Sequence, residues 1–502
     1  MIKKLVIANR GEIAIRIIRA CREIGIRPVA VFSEADRTSL HVLYADEAYC
    51  IGPPPALESY LSIQRIIEVA QQCQADAIHP GYGFLAENAA FARACEENRL
   101  IFVGPSSRAI EMMGDKTFAR RLMKEAGVPV VQGTERPLES DEEALRLAEE
   151  IGYPIIVKAA MGGGGKGMRI VRSREEIASS LRASRSEAGA SFGDSSVYIE
   201  KYLERPRHIE MQILADSYGH TISLGERECS IQRRHQKLIE ESPSPYVDPR
   251  LRETMGRAAV KAAEAVNYVN AGTVEFLVDQ SGQFYFLEMN TRLQVEHPVT
   301  EMVTGIDMVK AQLLIASGEK LELAQDDIRL QGSSIECRIY AEDPDHDFIP
   351  SPGTITYLQP PGGPGVRDER GVYQGYEVPT FYDSLISKLV VWGKDRLEAI
   401  ARMKRALSEY KISGIKTTIP FHQTIMEDEA FVAGDLDTHF IEQRYKGSMI
   451  RSGESLKEIA LIAAAIDTQE RGKQKGAPVD EGGPRYSPWK IAGRGQGFRN
   501  RF

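Results

Sequence analysis

Lys158-Ala159-Ala160-Met161-Gly162-Gly163-Gly164-Gly165-Lys166-Gly167 is the stretch on which the fold turns. Glycine lets backbone N–H groups approach an anion closely, so four consecutive glycines, a fifth at Gly167 and the flanking lysines favour a phosphate cradle over a plain surface turn. Three kinds of phosphate loop share this composition, and the flanks separate them. A P-loop needs Gly-Lys-Ser/Thr followed by a helix, whereas Gly167 runs into Met168-Arg169-Ile170-Val171, a strand. The spacing of Gly162, Gly164 and Gly167 fails as a dinucleotide-binding turn for the same reason. A protein-kinase hairpin would be accompanied by H-R-D and D-F-G motifs, and neither occurs. What remains is strand, glycine loop, strand, a flexible hairpin able to close over a triphosphate with Lys158 on its first strand.

Downstream, Gly272 to Val278 and Phe284 to Met289 read as a second hairpin that reverses at Ser281-Gly282. Glu275 lies on its first strand, and Glu288 and Asn290 end the second, where i and i+2 side chains share a face. Two carboxylates and an amide among Phe276, Phe284 and Phe286 suit Mg²⁺ (or Mn²⁺), which keeps some waters and bridges to substrate phosphates. The competing reading is a solvated sheet face.

Upstream, Leu5-Val6-Ile7-Ala8 reads as a buried strand. Ile13, Ile17, Cys21 and Ile24 recur at helical spacing before Gly25, and Pro28 to Phe32 is the next strand. This is a βαβ unit of a doubly wound sheet, in a domain expected to end near Gly114. Between Thr117 and about Leu203, two helical stretches and strands at Pro154 to Ala159 and Met168 to Val171 read as a small lid. Glu204 to about Gln443 reads as a larger, strand-rich domain. A capping box, Ser455-Leu456-Lys457-Glu458, opens a helix through Ile466, and Lys473 to Phe502, rich in Gly, Pro, Lys and Arg, is expected to be mobile. There are no internal repeats.

Composition sets the frame. With 502 residues, 27% charged and 42% hydrophobic, the chain is an ordinary globular protein of two or three domains. A net charge of −8 argues against nucleic acid as a partner. The six cysteines are widely spaced with no C-x-x-C pair, which argues against a disulfide framework and a structural zinc site. With no apolar run of about 18 residues and no secretory leader, the expected setting is the cytoplasm, away from membranes.

Met289-Asn290-Thr291-Arg292-Leu293-Gln294-Val295-Glu296-His297-Pro298-Val299-Thr300-Glu301 follows the second hairpin, and Ser230-Ile231-Gln232-Arg233-Arg234-His235-Gln236-Lys237 precedes it. Together with Ala8-Asn9-Arg10-Gly11-Glu12, His79-Pro80-Gly81-Tyr82-Gly83-Phe84 and Met113-Gly114-Asp115-Lys116, these resemble the biotin carboxylase signature of the ATP-grasp superfamily, from the N-terminus to about residue 445. The resemblance implies an α/β protein in which a doubly wound βαβ domain (1–114) precedes an ATP-grasp fold (115–330). That fold includes a mobile lid at about 131–203, and a C-terminal α+β domain (331–445) and a tail (446–502) follow.

The same resemblance implies roles. Lys116, Lys158 and the loop Gly162, Gly163, Gly164, Gly165, Lys166, Gly167 would hold the ATP phosphates, with Glu200, Lys201 and Leu203 at the adenine. His208, Gln232 and His235 resemble groups around ribose and phosphate. Glu275, Glu288 and Asn290 match metal ligands, the first two and Lys237 also facing ATP. Lys237, Arg292, Gln294 and Val295 match a bicarbonate pocket. Glu296 matches the base that deprotonates bicarbonate, and Arg338, with Tyr82, matches the biotin site, where Arg338 stabilises the enolate. Met161 replaces a glycine found in many relatives. His79, His297 and the pair Arg233-Arg234 have blander readings, as loop-orienting groups and a solvated basic pair.

An Ala/Val-Met-Lys-Met site for attaching biotin is missing, since Met403-Lys404 sits in a charged helical stretch. The resemblance therefore implies a homodimer that works with a biotin carboxyl carrier protein and a carboxyltransferase on other chains, which choose the final acceptor. Two rivals are another ATP-grasp carboxylating ligase and a non-catalytic nucleotide-sensing subunit. The first need not contain Arg292 to Glu301 or Arg338; the full set of acidic and basic groups counts against the second.

Overall fold

A computed structural model describes residues 1–160 and 167–445. Met161 to Lys166 of the glycine loop, the helix expected at Ser455 to Ile466 and the tail from Lys473 lie outside the described residues.

The N-terminal strands are β1 (Lys4–Ile7), β2 (Arg27–Ser33), β3 (Glu47–Gly52), β4 (Ala77–His79) and β5 (Ile101–Phe102). They form one parallel sheet in the order β3-β2-β1-β4-β5. Between β1 and β2 runs the helix Gly11–Glu23, and Gly25, at φ +77°, turns the chain out of it as a left-handed residue. Leu5, Val6, Ile7 and Val29 to Val31 are fully buried, as continuous apolar runs in a sheet covered on both faces must be.

The middle segment holds three helices where the periodicity suggested two: Lys116–Glu125, Asp141–Ile151 and Ile177–Phe192. The first of them is capped by the Asp115 carboxylate, which accepts from the backbone N–H groups of Thr117 and Phe118. β6 (Ile155–Ala159), β7 (Arg169–Val171) and β8 (Val197–Lys201) make an antiparallel sheet in the order β7-β6-β8, with Ile155 opposite Val171. Leu138, Ala148, Val157, Val171, Leu181 and Ile199 give this unit its own small core.

β9 (Arg207–Ala215), β10 (Thr221–Arg233), β11 (Gln236–Ser242), β12 (Asn270–Val278), β13 (Phe284–Asn290) and β14 (Ser333–Tyr340) belong to one eight-stranded sheet. Its order is β13-β12-β9-β10-β11-β14, continued by Leu385–Gly393 and Val366–Arg370, so the sheet runs past residue 330 without a break. The β12–β13 reversal spans Asp279 to Gln283, where the Asp279 carboxylate accepts from Ser281 and Gln283 N–H and Gly282 takes φ +83°. One face packs on two helices, Met211, Val274 and Phe276 against Pro249–Ala265 and Ile335, Cys337 and Ile339 against Arg396–Glu409. On the other face the helix His297–Thr304 covers β10, β11 and β14. Polar residues at alternate positions of β9, β10, β11 and β14 are therefore buried. Among the described residues no helix is long and apolar enough to cross a membrane.

Arg227 shows what this enclosure demands. Fully buried, it donates to Glu210 at 2.5 Å, Gln212 at 2.6 Å, Thr300 at 2.9 Å and Thr273 at 3.1 Å. Arg227→Met keeps the volume but strips Glu210 of one of its two cations. Leaving a buried carboxylate half-paired is expected to cost about 3–5 kcal/mol, read as a lowered urea midpoint with an unchanged slope.

Candidate active site

On the sheet face under the covering helix, Lys237 of β11 and Arg338 of β14 are each paired with carboxylates. Lys237 is the centre. Its ammonium lies 2.5 Å from Glu210, 2.8 Å from Glu275 and 2.6 Å from Glu296. Glu296, fully buried just before the helix, binds Lys237 with one oxygen and Arg338 Nη2 with the other at 2.8 Å. Burial alone would raise the Glu296 pKa, but Lys237, Arg338 and Arg227 outweigh it and hold the carboxyl well below its usual range. Glu296 is ionised at neutral pH.

Glu275 joins this cluster to the metal candidates. Buried on β12, it contacts His208 at 2.9 Å and accepts from Asn290 at 2.9 Å. Burial again opposes ionisation, and Lys237 and His208 reverse it, so Glu275 stays a carboxylate. Glu288 is its register partner across β12–β13, and its half-open side chain (34% exposed) lies 3.4 Å from Lys116. Two carboxylates and an amide oxygen on one sheet face, one of them reaching solvent, are a donor set that fits Mg²⁺ and its retained waters.

Arg292 donates to Glu87 at 2.8 Å, Gln294 at 2.8 Å and Asn290 at 3.2 Å, while Gln294 Nε2 lies 3.5 Å from Glu275. Val295 contributes its carbonyl, which accepts from Lys388 at 3.0 Å. Arg338 Nε and the Tyr82 hydroxyl are buried without hydrogen-bond partners among the described residues. They are linked through Lys388, which is opposite Arg338 in the sheet and 5.6 Å from the Tyr82 ring centroid.

The nucleotide candidates are less connected to one another. Lys158 donates to Glu200 at 2.6 Å, and Arg120 binds the other Glu200 oxygen. Lys201 points its ammonium at the carbonyls of Gly152 and Tyr153, at 2.9 and 3.0 Å. Leu203 is half-buried. Gln232 is buried opposite Lys237, and exposed His235 sits in a two-residue turn with Arg234, both at positive φ. Gly167, at φ +73°, has only the Ala159 Cβ within 3.2 Å of its own would-be side chain.

Two bland readings come out differently. His79 and His297 are fully buried and bond the backbone of their own loops, at Gly81 N and Gln294 O. Arg233 and Arg234 both bind Asp347, Arg233 partly buried and Arg234 still 70% exposed, so the solvated reading holds for Arg234. Glu87, Arg120, Glu210, Arg227 and Lys388 went unnoticed in the sequence. The alternation His208-Ile209-Glu210-Met211-Gln212, polar at every second position of an apolar strand, was the available clue for Glu210.

A lysine-bearing strand hairpin and a carboxylate pair of which Glu288 reaches solvent, with a large antiparallel sheet, are in keeping with an ATP-grasp fold. Comparisons with known proteins narrow the class. The biotin carboxylase N-terminal domain matches residues 1–110, the carbamoyl-phosphate synthase L chain ATP binding domain 115–324, and the biotin carboxylase C-terminal domain 336–443. The chain belongs to the biotin carboxylase family and is an ATP-dependent carboxylating ligase. It is 60% identical to biotin carboxylase 1 of Bacillus subtilis over 443 residues, 88% of this chain and 98% of that one. It is 56% identical to a subunit of the pyruvate carboxylase of Methanothermobacter thermautotrophicus over 485 residues, 93% and 99% of the two chains. The biotin carboxylase domain dimer of Hydrogenobacter thermophilus 2-oxoglutarate carboxylase, solved with MgADP, ADP and bicarbonate, superposes with a TM-score of 0.86 at 52% identity, covering 88% of this chain and 98% of that one.

Proposed function

We propose that this chain uses ATP and bicarbonate to carboxylate the ureido ring of biotin on a separate carrier, with Glu296 as the base and Arg338 as the cation on the biotin oxygen. Glu296 takes the bicarbonate proton, and the resulting anion attacks the γ-phosphate to form carboxyphosphate and ADP. Carboxyphosphate breaks into CO₂ and phosphate. The phosphate removes the biotin N–H proton while Arg338 stabilises the enolate, and the ring nitrogen adds to CO₂.

The observation that carries this reading is Lys237, within hydrogen-bond reach of both Glu296 and Glu275. Bicarbonate seated between Lys237, Arg292 and Gln294 meets the same cation that depresses Glu296. Lys237 therefore lowers the proton affinity of acceptor and donor together, which keeps the transfer matched. Glu275, Glu288 and Asn290 would hold Mg²⁺, which when bound offsets charge on the phosphoryl group in transfer. Lys116, Lys158 and the glycine loop would take the phosphates, with Glu200, Lys201, Leu203, His208, Gln232 and His235 around the nucleoside.

The same proposal assigns domains to 1–114, 115–330 with the lid at about 131–203, and 331–445, followed by 446–502. Partners would be a second copy of this chain, a biotin carrier and a carboxyltransferase. Relatives that are one component of a pyruvate carboxylase and a domain dimer support this. Five of the six thiols are buried and all are free, in keeping with a cytoplasmic setting.

ADP release is expected to require bicarbonate and Mg²⁺ and to rise on addition of free biotin, followed in a coupled assay. Stimulation by an amine or a purine intermediate, with biotin inert, would overturn the reading.

A further inference from the structure

We propose that Glu240 and Glu336 are positioning residues: as a pair carrying one proton, they share Arg338 with Glu296 and set how much of its charge reaches the biotin ring. Glu240 and Glu336 are directly opposite on β11 and β14, and both are fully buried. Side chains at such positions start only about 5 Å apart, where two carboxylates resist being ionised together. All four oxygens lack a hydrogen bond, although Arg338 Nη2 lies 2.5 Å from Glu240 Oε1 without the alignment of one. A single proton on Glu336, donated to Glu240, removes one buried charge and gives both groups a partner.

The surrounding charges favour that arrangement. Of the nearby cations, Lys388 is held by the Val295 carbonyl and Glu12, at 3.0 and 3.2 Å, and Lys237 by its own three carboxylates. Arg338 is the cation in contact with Glu240, and Lys388 and then Arg338 act on Glu336. Glu296 and Glu369, the latter opposite Lys388, add further negative charge, while burial raises Glu12 to about 7. Tyr340 on the same strand face and His297 of the covering helix are neutral, burial raising the first and lowering the second. Burial pushes Glu240 up to about 7 against the pull of Arg338, and raises Glu336 further, with Glu240 adding to the rise.

The consequence bears on one half of the reaction, given that Arg338 is the biotin-facing cation. With one proton on the pair, Arg338 balances Glu296 and one carboxylate. Loss of that proton as pH rises places a second negative charge beside Arg338, which then competes with the biotin oxygen for the guanidinium. Bicarbonate-dependent ATP cleavage without biotin draws on Arg338 only through Glu296, which Lys237 and Arg227 also hold ionised, and is affected less.

Two variants test this in the full-length chain. In Glu336→Gln, where the amide stands in permanently for the protonated acid, the alkaline limb of biotin-dependent turnover is expected to move up by at least one pH unit. In Glu240→Gln the pair can no longer carry two negative charges beside Arg338, so the alkaline limb of biotin-dependent turnover should likewise move up relative to that of biotin-independent ATP cleavage. Infrared difference spectra across the same pH range should show the C=O stretch of a protonated carboxyl group that Glu336→Gln lacks. This readout does not depend on the role given to Arg338. An unchanged alkaline limb, parallel loss of both activities, or a band that persists in Glu336→Gln would overturn the proposal.

Discussion

Glu296→Gln is expected to lower bicarbonate-dependent turnover by roughly 10²- to 10⁴-fold, the usual cost of a lost general base, while ATP synthesis from ADP and carbamoyl phosphate survives. The two directions differ in one proton. Forward, bicarbonate must be deprotonated before phosphoryl transfer. In reverse, carbamoyl phosphate delivers its phosphoryl group with no bicarbonate to ionise. The glutamine keeps the size of Glu296 and one acceptor oxygen. Lys237 still has Glu210 and Glu275, at 2.5 and 2.8 Å, to hold its place beside the metal candidates. Initial rates in both directions, measured on one preparation, decide the matter. Comparable losses would mean that Glu296 organises the cluster and that the base lies elsewhere.

Glu288→Lys should abolish turnover in both directions, a loss of about 10³-fold or more, above the cost of deleting a single charge-stabilising contact. The substitution removes one oxygen donor and puts a second ammonium beside Lys116, whose own nitrogen is 3.4 Å from the Glu288 carboxylate. Because the side chain is partly open to solvent, the new cation can stay hydrated and the fold should hold. Circular dichroism and the urea midpoint should match the parent within about 1 kcal/mol, the range expected of a partly exposed position. Near-normal metal-dependent activity would show that the β12–β13 hairpin is not where the metal acts.

The contrast between these residues separates what is local from what is not. The hairpin that carries Glu275, Glu288 and Asn290 was legible because its periodicity, its Asp279 to Gln283 turn and its carboxylates all lie within 21 residues. The strand, glycine loop, strand pattern was legible for the same reason, down to the antiparallel pairing of β6 with β7.

From the sequence alone came the βαβ start, the reading of the glycine loop as a phosphate hairpin and of Glu275, Glu288 and Asn290 as metal ligands and, through the resemblance, the proposed base and biotin-facing arginine. Only the tertiary structure decided how these groups are charged. β14 reads Ile335-Glu336-Cys337-Arg338-Ile339, an alternation that ordinarily marks one dry and one wet face, yet every residue of the strand is buried. Its polar face is covered by the helix His297–Thr304, which follows β13 in the chain, and lies beside Glu240 from β11 and Lys388 from Leu385–Gly393. Those neighbours are brought together by strand order, across as many as 148 positions from Glu240 to Lys388. Electrostatic energies depend on distance and burial, which no local pattern encodes. The sequence could name Arg338, whereas the carboxylates that compete for it appear only where the sheet sets them side by side.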